Sequence, residues 1–359
     1  MKSSPPVQQL VAVEHDPFAG AAIARVVPTT EAQREIWLAD QLSRDASLAY
    51  NESISLYIDG QLDVAAMERA LSAVAERHDA LRATFGPDGL SMLVAAQGDM
   101  PMRHVDFSGL DAAAREAALA ELRVEAVESP FDLAQGPLIR AVLASSGRER
   151  HELIVTGHHI VCDGWAIGVL AKELMALYSK HAGAGSAKPL PPAESYADYA
   201  LAQHDDVHCA AADTDNRWFA AQYATLPNPL DLPADRQRKS VRQFDSRREE
   251  RIIEPPLVEA IKRFGSQHGA SLFVTLFAVY GALLARLSGQ SDLVVGVPAA
   301  GQAAEGSFGL VGHCVQLLPI RIAVEVDGPF IDLLAATRQR VLDAYEHQSC
   351  TFGSLLKTL

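Results

Sequence analysis

The chain has 359 residues, 48% of them apolar and 21% charged, with a formal net charge of -14. That is the mixture of a folded protein with room for two cores, since one core stops growing at roughly 250 to 300 residues. The acidic balance argues against nucleic acid, whose sequence-independent partners cluster Lys and Arg. Four scattered cysteines, Cys162, Cys209, Cys314 and Cys350, without a C-x-x-C pair suggest neither a disulfide framework nor a zinc ribbon, so a reducing cytosol fits best.

In chain order, "MKSSPPVQQLVAVEHDPFAG" lacks an apolar stretch followed by a cleavage site, and residues 1–28 read as a leader or linker. "ESISLYIDG" alternates as a strand. "LDVAAMERALSAVAERH" then places Val64, Met67, Leu71 and Val74 at helical spacing, with Asp63 as N-cap and Leu62 packing on Met67. Helices over 112–128 and 165–180, with strands "LIRAVLA" and "HELIVTGHH", complete a first α/β lobe over 29–185.

Turn-formers crowd "HAGAGSAKPLPPAES" and, from Leu226, "LPNPLDLPADRQRKSVRQFDS", with a helical patch around Trp218 between them. The second half, 186–359, offers strand "REERIIE", helices over 256–267 and 271–287, strands "DLVVGVP" and "CVQLLPIRIAV", and a helix over 330–346. The longest apolar run, "SLFVTLFAVYGALLARL", is short for a membrane span and ends in Arg286 and Leu287, so it reads as a buried core helix. The element order echoes the first half, although no sequence repeat aligns.

The stretch richest in chemistry is "TGHHIVCDGWAIGVL", residues 156–170. It joins a β-branched run to a helical pattern, and such turns collect catalytic groups. Neighbouring side chains on an extended segment point to opposite faces, so His158 and His159 cannot share a metal, and no H-x-x-x-H or C-x-x-C partner lies nearby. One exposed histidine still suffices as a base. Asp163 has the position of a helix N-cap, and Gly164 either eases a tight turn or brings free backbone N–H groups toward an oxyanion.

Six stretches in order over nearly the whole chain resemble the motifs of condensation domains of non-ribosomal peptide synthetases, in the superfamily of chloramphenicol acetyltransferase-like acyltransferases. They are "TTEAQREIWLADQL", "RHDALRATF", "HHIVCDGW", "YADYA", "VGHCVQLLPIR" and "HQSCTF". Departures are Thr30 for Ser and Glu35 for Arg in the first and Gln316 for Asn in the fifth. The sequence ends at Leu359 without the seventh motif, so the second lobe is expected to be incomplete. "SLAYNESISL" resembles condensation domains that take donors from polyketide-type modules.

The resemblance implies an α/β fold of two acetyltransferase-like lobes in a V, with a tunnel between them and the histidine motif at their junction. The implied partners are donor and acceptor carrier proteins and adjacent synthetase domains, with no membrane and no nucleic acid. The phosphopantetheine arms belong to the carriers, and no cofactor or metal is expected on the domain itself. The implied reaction is transfer of an acyl or peptidyl group to the amine of an aminoacyl thioester, in the cytoplasm.

By the same match His159 is the catalytic position, and Gly164 joins it as a candidate from its place at the helix start. An imidazole can take a proton from an attacking amine and return it to a thiolate. Since an α-amine has a pKa near 8, reaching its neutral form at pH 7 costs only about 1 kcal/mol, so placement counts for more than proton removal. Asp163 is expected to pair with Arg321 across the lobes as a structural brace, and His158 to be a packed support. His313, Cys314 and Gln316 are candidates for the tunnel wall.

Arg77, His78 and Arg82 read as structural charge at a helix end, Trp37 and Trp165 as packing aromatics, and Cys162 as a small buried side chain. Rival readings are an acyltransferase to a soluble amine or alcohol, and a shortened docking module without activity. An epimerising relative would differ in the later motifs. A heterocyclising one would carry Asp in place of His158.

Overall fold

The structure, a computed structural model, describes residues 22–183, 189–236, 244, 246 and 248–359. Residues 1–21 of the expected leader, part of the turn-rich stretch (184–188) and most of the basic run (237–243) lie outside the described residues.

The first half runs β1 (Ile23–Pro28), α1 (Glu31–Asp40), α2 (Arg44–Leu48), β2 (Asn51–Asp59), α3 (Val64–Arg77), β3 (Ala83–Phe85), β4 (Ser91–Ala95), β5 (Met102–Asp106), α4 (Ala112–Glu128), β6 (Ile139–Ser145), β7 (Arg150–His158) and α5 (Gly164–His181). Its principal sheet has the order β2-β7-β6-β5, antiparallel except for the β5–β6 pair. A smaller antiparallel sheet, β1-β4-β3, stands beside it. Residues 23–28 are therefore not leader. Val27 pairs with Met92 and is buried, so this segment is anchored by a β-ladder.

α3 forms where its spacing predicts, and Asp63 caps it by accepting from the Ala66 amide at 2.9 Å. Its apolar stripe, including Met67, Leu71 and Val74, packs with Leu170 and Leu174 of α5 and Leu143 and Leu153 of the sheet. Burying side chains of this size is worth roughly 1.5 to 3 kcal/mol each. The two helices are also tied electrostatically. Glu173 accepts from Arg77 at 2.9 and 3.1 Å and meets His78 Nε2 at 2.9 Å. Burial alone would push the Glu173 carboxyl up, but His78 and Arg77 outweigh it and hold it at about 2. The structural reading of Arg77 and His78 is the one the geometry supports.

Two helices, α6 (Tyr196–Ala202) and α7 (Asp206–Gln222), cross to the second half. There α8 (Pro255–Gln267), α9 (Leu272–Ser288), β8 (Asp292–Ala300), α10 (Gly301–Glu305), β9 (Val315–Ala323), α11 (Phe330–Glu346) and α12 (Phe352–Thr358) follow. β8 and β9 form an antiparallel pair whose core contains Val274, Phe277 and Ala278 of α9 and Leu334 and Val341 of α11. Ser271 caps α9, and Gly289 closes it at φ +71°, a left-handed conformation that suits glycine. No single helix among the described residues is long and apolar enough to cross a membrane.

Residues 248–254, expected as a strand, have no regular structure, and Ile252 is 91% exposed. β-branched composition makes a strand only where a neighbour completes the ladder, and none pairs with this segment among the described residues.

Glu173→Ala is expected to lower the unfolding free energy by about 2 to 4 kcal/mol, because it strands His78 and Arg77 against a packed helix pair. Urea unfolding at pH 7 measures this. The difference from the parent should shrink as the pH falls below about 4.5 toward 2, where the parent's carboxylate takes up its proton.

Candidate active site at the β7–α5 turn

β7 ends at His158, and the chain folds back at once: the Val161 amide donates to the His158 carbonyl at 3.0 Å, and the Cys162 thiol lies 3.6 Å from the same oxygen. This return brings Cys162 Sγ against Gly157, where a Cβ would stand only 2.7 Å from the sulfur. Burial pushes the Cys162 thiol well up, with Glu52 and Asp163 adding to the rise, so it is a packed side chain and no nucleophile.

The two histidines face apart. His158 is fully buried between Tyr50 and Phe131, and its Nδ1 accepts from the Ile160 amide at 3.3 Å. That leaves the proton of the neutral ring on Nε2, which faces Asp40 Oδ1 at 3.4 Å. Burial would raise the Asp40 carboxyl, but His158 and then Ser47 hold it below its ordinary value. His159 instead has a partly open side chain, with its backbone amide fixed on the Tyr50 carbonyl at 2.8 Å.

His159 Nδ1 lies 3.1 Å from Nδ1 of His313, the rings crossing edge to face at 83°. Burial, reinforced by His159 and then His158 beside it, lowers His313 to about 3, so it stays neutral near pH 7. On the other side of the ring, Glu52 Oε2 stands 3.8 Å from His159 Nε2. Burial raises the Glu52 carboxyl against the pull of His159, and Asp163 adds to the rise.

Asp163 is fully buried and wholly used. Oδ1 accepts from the Ala166 amide at 2.8 Å, capping α5, while Oδ2 accepts from Gln302 Nε2 at 2.9 Å and the Cys314 amide at 3.0 Å. The brace across the two halves is therefore present, but the expected partner is wrong. Arg321 is engaged elsewhere, with Asp292 at 2.8 and 2.6 Å and with the carbonyls of Gln222 and Thr225, each at 2.8 Å. β9 carries Arg321 opposite Val294 of β8, so its side chain serves the far end of that hairpin. Three directed N–H donors satisfy the buried carboxylate without a cation.

The remaining motifs converge on this brace. Asp79 accepts from Ser195 Oγ at 2.6 Å and from the Tyr196 and Ala197 amides at 2.8 and 3.0 Å, fixing the start of α6. Buried Tyr196 then donates to the His313 carbonyl at 2.6 Å. Gln33 of α1 donates to the Ile160 carbonyl at 3.2 Å, and Glu35 accepts from the Gly353 amide at 2.7 Å. The Gln316 amide is oriented to donate to the carbonyls of Gln348 and Cys350. His347 stacks on Trp218 and meets Asp215 at 2.9 Å.

His313, Cys314 and Gln316 line one cavity of about 500 Å³, whose wall also includes Tyr199, His204 and Thr351. Trp165 packs on Phe308 and donates to its carbonyl at 3.1 Å. Gly164 starts α5 at an exposed position, and a Cβ there would meet only Glu52 Oε1, at an ordinary 3.8 Å. Its glycine is therefore not demanded by a crowded turn.

The family model for the condensation domain matches residues 23–359. The chain belongs to the condensation domain family. A linear gramicidin synthase of Brevibacillus parabrevis is 32% identical over 335 residues, 93% of this chain but 6% of that protein. Chondramide synthase cmdD of Chondromyces crocatus is 31% identical over 97% of this chain and 9% of its own length. The condensation domain thus spans a small part of these curated relatives. In solved structures, the condensation domain from monacolin K polyketide synthase MokA superposes with a TM-score of 0.77 at 22% identity, covering 94% of this chain and 76% of that one. The starter condensation domain of rhizomide synthetase RzmA reaches 0.80 at 22%, covering 93% and 74%. The fold is accordingly chloramphenicol acetyltransferase-like, and condensation domains are acyltransferases that form peptide bonds.

Reading the sequence alone missed Glu52, Gln302 and Asp40. An acidic residue near the start of an otherwise alternating strand was the available signal for Glu52, whereas nothing in the sequence marks Gln302. Asp163→Ala should cost about 3 kcal/mol or more, from the lost cap and the stranded Gln302 and Cys314 donors. In double-mutant cycles read by urea unfolding, Asp163 should couple to Gln302 and show under about 0.5 kcal/mol with Arg321.

A second outcome concerns acid. His313 has a depressed folded pKa, so below about 6.5 the unfolded chain takes a proton that the folded one refuses until about 3. Between pH 6.5 and 4 the parent should therefore lose stability faster than His313→Asn, by at most about 1.4 kcal/mol per pH unit. Thermal unfolding across that range reads the difference.

Proposed function

We propose that this condensation domain transfers an acyl or peptidyl group from a donor carrier-protein thioester to the amine of an acceptor aminoacyl thioester, in peptide or hybrid polyketide-peptide biosynthesis. One observation carries the reading: of the paired histidines, only His159 is open, and it contacts the neutral His313 that walls the cavity. In this reading the two lobes form a V, and the cavity is part of the passage through which phosphopantetheine arms reach His159. Carriers and adjacent domains of a cytoplasmic synthetase supply both substrates.

A neutral His313 can accept at Nδ1 from His159 Nδ1–H, which leaves the lone pair of His159 on Nε2, facing the open side. The acceptor nitrogen attacks the thioester carbonyl carbon, the C–N bond forms and the C–S bond breaks. The proton shed by nitrogen passes to His159 Nε2 and from there to the leaving thiolate. Gly164, at the start of α5, would lend unpaired backbone N–H groups to the transient oxyanion. His158 and Asp163 hold the turn without touching substrate, and His313, Cys314 and Gln316 shape the passage.

With loaded donor and acceptor carriers, mass spectrometry of the acceptor should show the added acyl group. His159→Ala is expected to cut turnover by about 10²-fold while leaving the unfolding temperature unchanged. Near-parental turnover in that variant would remove His159 from the mechanism, and no transfer by the parent would sink the reading.

A further inference from the structure

The carboxylate of Glu52 sits beside the working histidine with a bond left unmade. It projects from β2, and its Oε2 is buried and finds no hydrogen-bond partner among the described residues. His159 Nε2 is 3.8 Å away, outside hydrogen-bond range. A buried carboxylate oxygen without a partner is costly, and nothing in the surrounding strand uses it as a strut.

We propose that Glu52 is the anchor for the acceptor's ammonium group, holding the nitrogen between its own Oε2 and His159 Nε2. Two atoms 3.8 Å apart can each lie about 2.8 Å from one nitrogen placed to the side of the line joining them. An ammonium supplies the donors such a site lacks, one N–H to the carboxylate and one to the imidazole lone pair. Gly164 lies beside the same carboxylate, where an added Cβ would meet the other oxygen, Oε1, at 3.8 Å. The other titratable groups around this carboxylate are His159, Asp163 and Cys162, of which Asp163 is committed to the brace and Cys162 is a packed thiol.

This inference rests on the reading of the acceptor as an amine delivered to His159. An α-amine is mostly protonated at pH 7. A carboxylate would therefore capture the form that prevails in solution and align it before His159 removes the proton. An acceptor carrying a hydroxyl in place of the amine gains no such attraction, so Glu52 would set the domain's preference for nitrogen over oxygen.

The test uses two probes, the leucyl thioester of N-acetylcysteamine and its 2-hydroxy-4-methylpentanoyl counterpart, with binding to the full chain measured calorimetrically at pH 7. The parent should bind the amine at least five-fold more tightly. Glu52→Gln should bring the ratio close to one without lowering the unfolding temperature, and Glu52→Asp should restore part of it. A preference that survives in Glu52→Gln, a parent without preference, or binding of neither probe overturns the anchor. Acyl transfer between loaded carriers is scored separately. Transfer by the parent with a Glu52-independent preference sinks the anchor alone, and a Glu52-dependent preference without any transfer supports the anchor and sinks the acyl-transfer reading.

Discussion

One buried carboxylate holds the site together. Asp163 accepts three N–H donors, one from the helix it caps and two from the second half of the chain, and so fixes the turn after β7 against the segment that carries His313. A carboxylate in this setting tolerates few alternatives, since each donor would otherwise be left unpaired in a dry interior. Such a contact defines one docking position between the halves where apolar packing alone would leave several.

Around it the motifs act as a set of struts rather than as separate catalytic devices. Asp79 sets α6, α6 sets Tyr196, and Tyr196 sets the His313 carbonyl. Gln33 and Gln316 do the same from either side, each binding backbone of another motif. Most of the polar residues in these stretches are therefore spent on positioning. That leaves His159, His313 and Glu52 as the group with chemistry to spare, and it fits a reaction in which placing two tethered substrates counts for more than activating either.

The electrostatics follow the same division. Buried groups with partners, such as Glu173 with Arg77 and His78, are held in one charge state. At the turn the balance is looser: burial raises Glu52 and lowers His313, so a neutral imidazole and a reluctant carboxylate flank His159.

Periodicity and capping residues in the sequence determined the long helices α3, α4, α5, α8, α9 and α11 and the core strands, because those signals are local and the packing merely uses them. The opposed directions of His158 and His159 were local too, as was the N-cap role of Asp163. Tertiary structure alone decided who meets Asp163: Gln302 and the Cys314 amide lie 139 and 151 residues away, and the family pattern pointed to Arg321, which Asp292 holds instead. The strand β1 and the unpaired 248–254 segment were decided in the same way, by whether a neighbour completes the ladder. Glu52 belongs with them, since a carboxylate in a strand acquires meaning only from the histidine that the fold sets across from it.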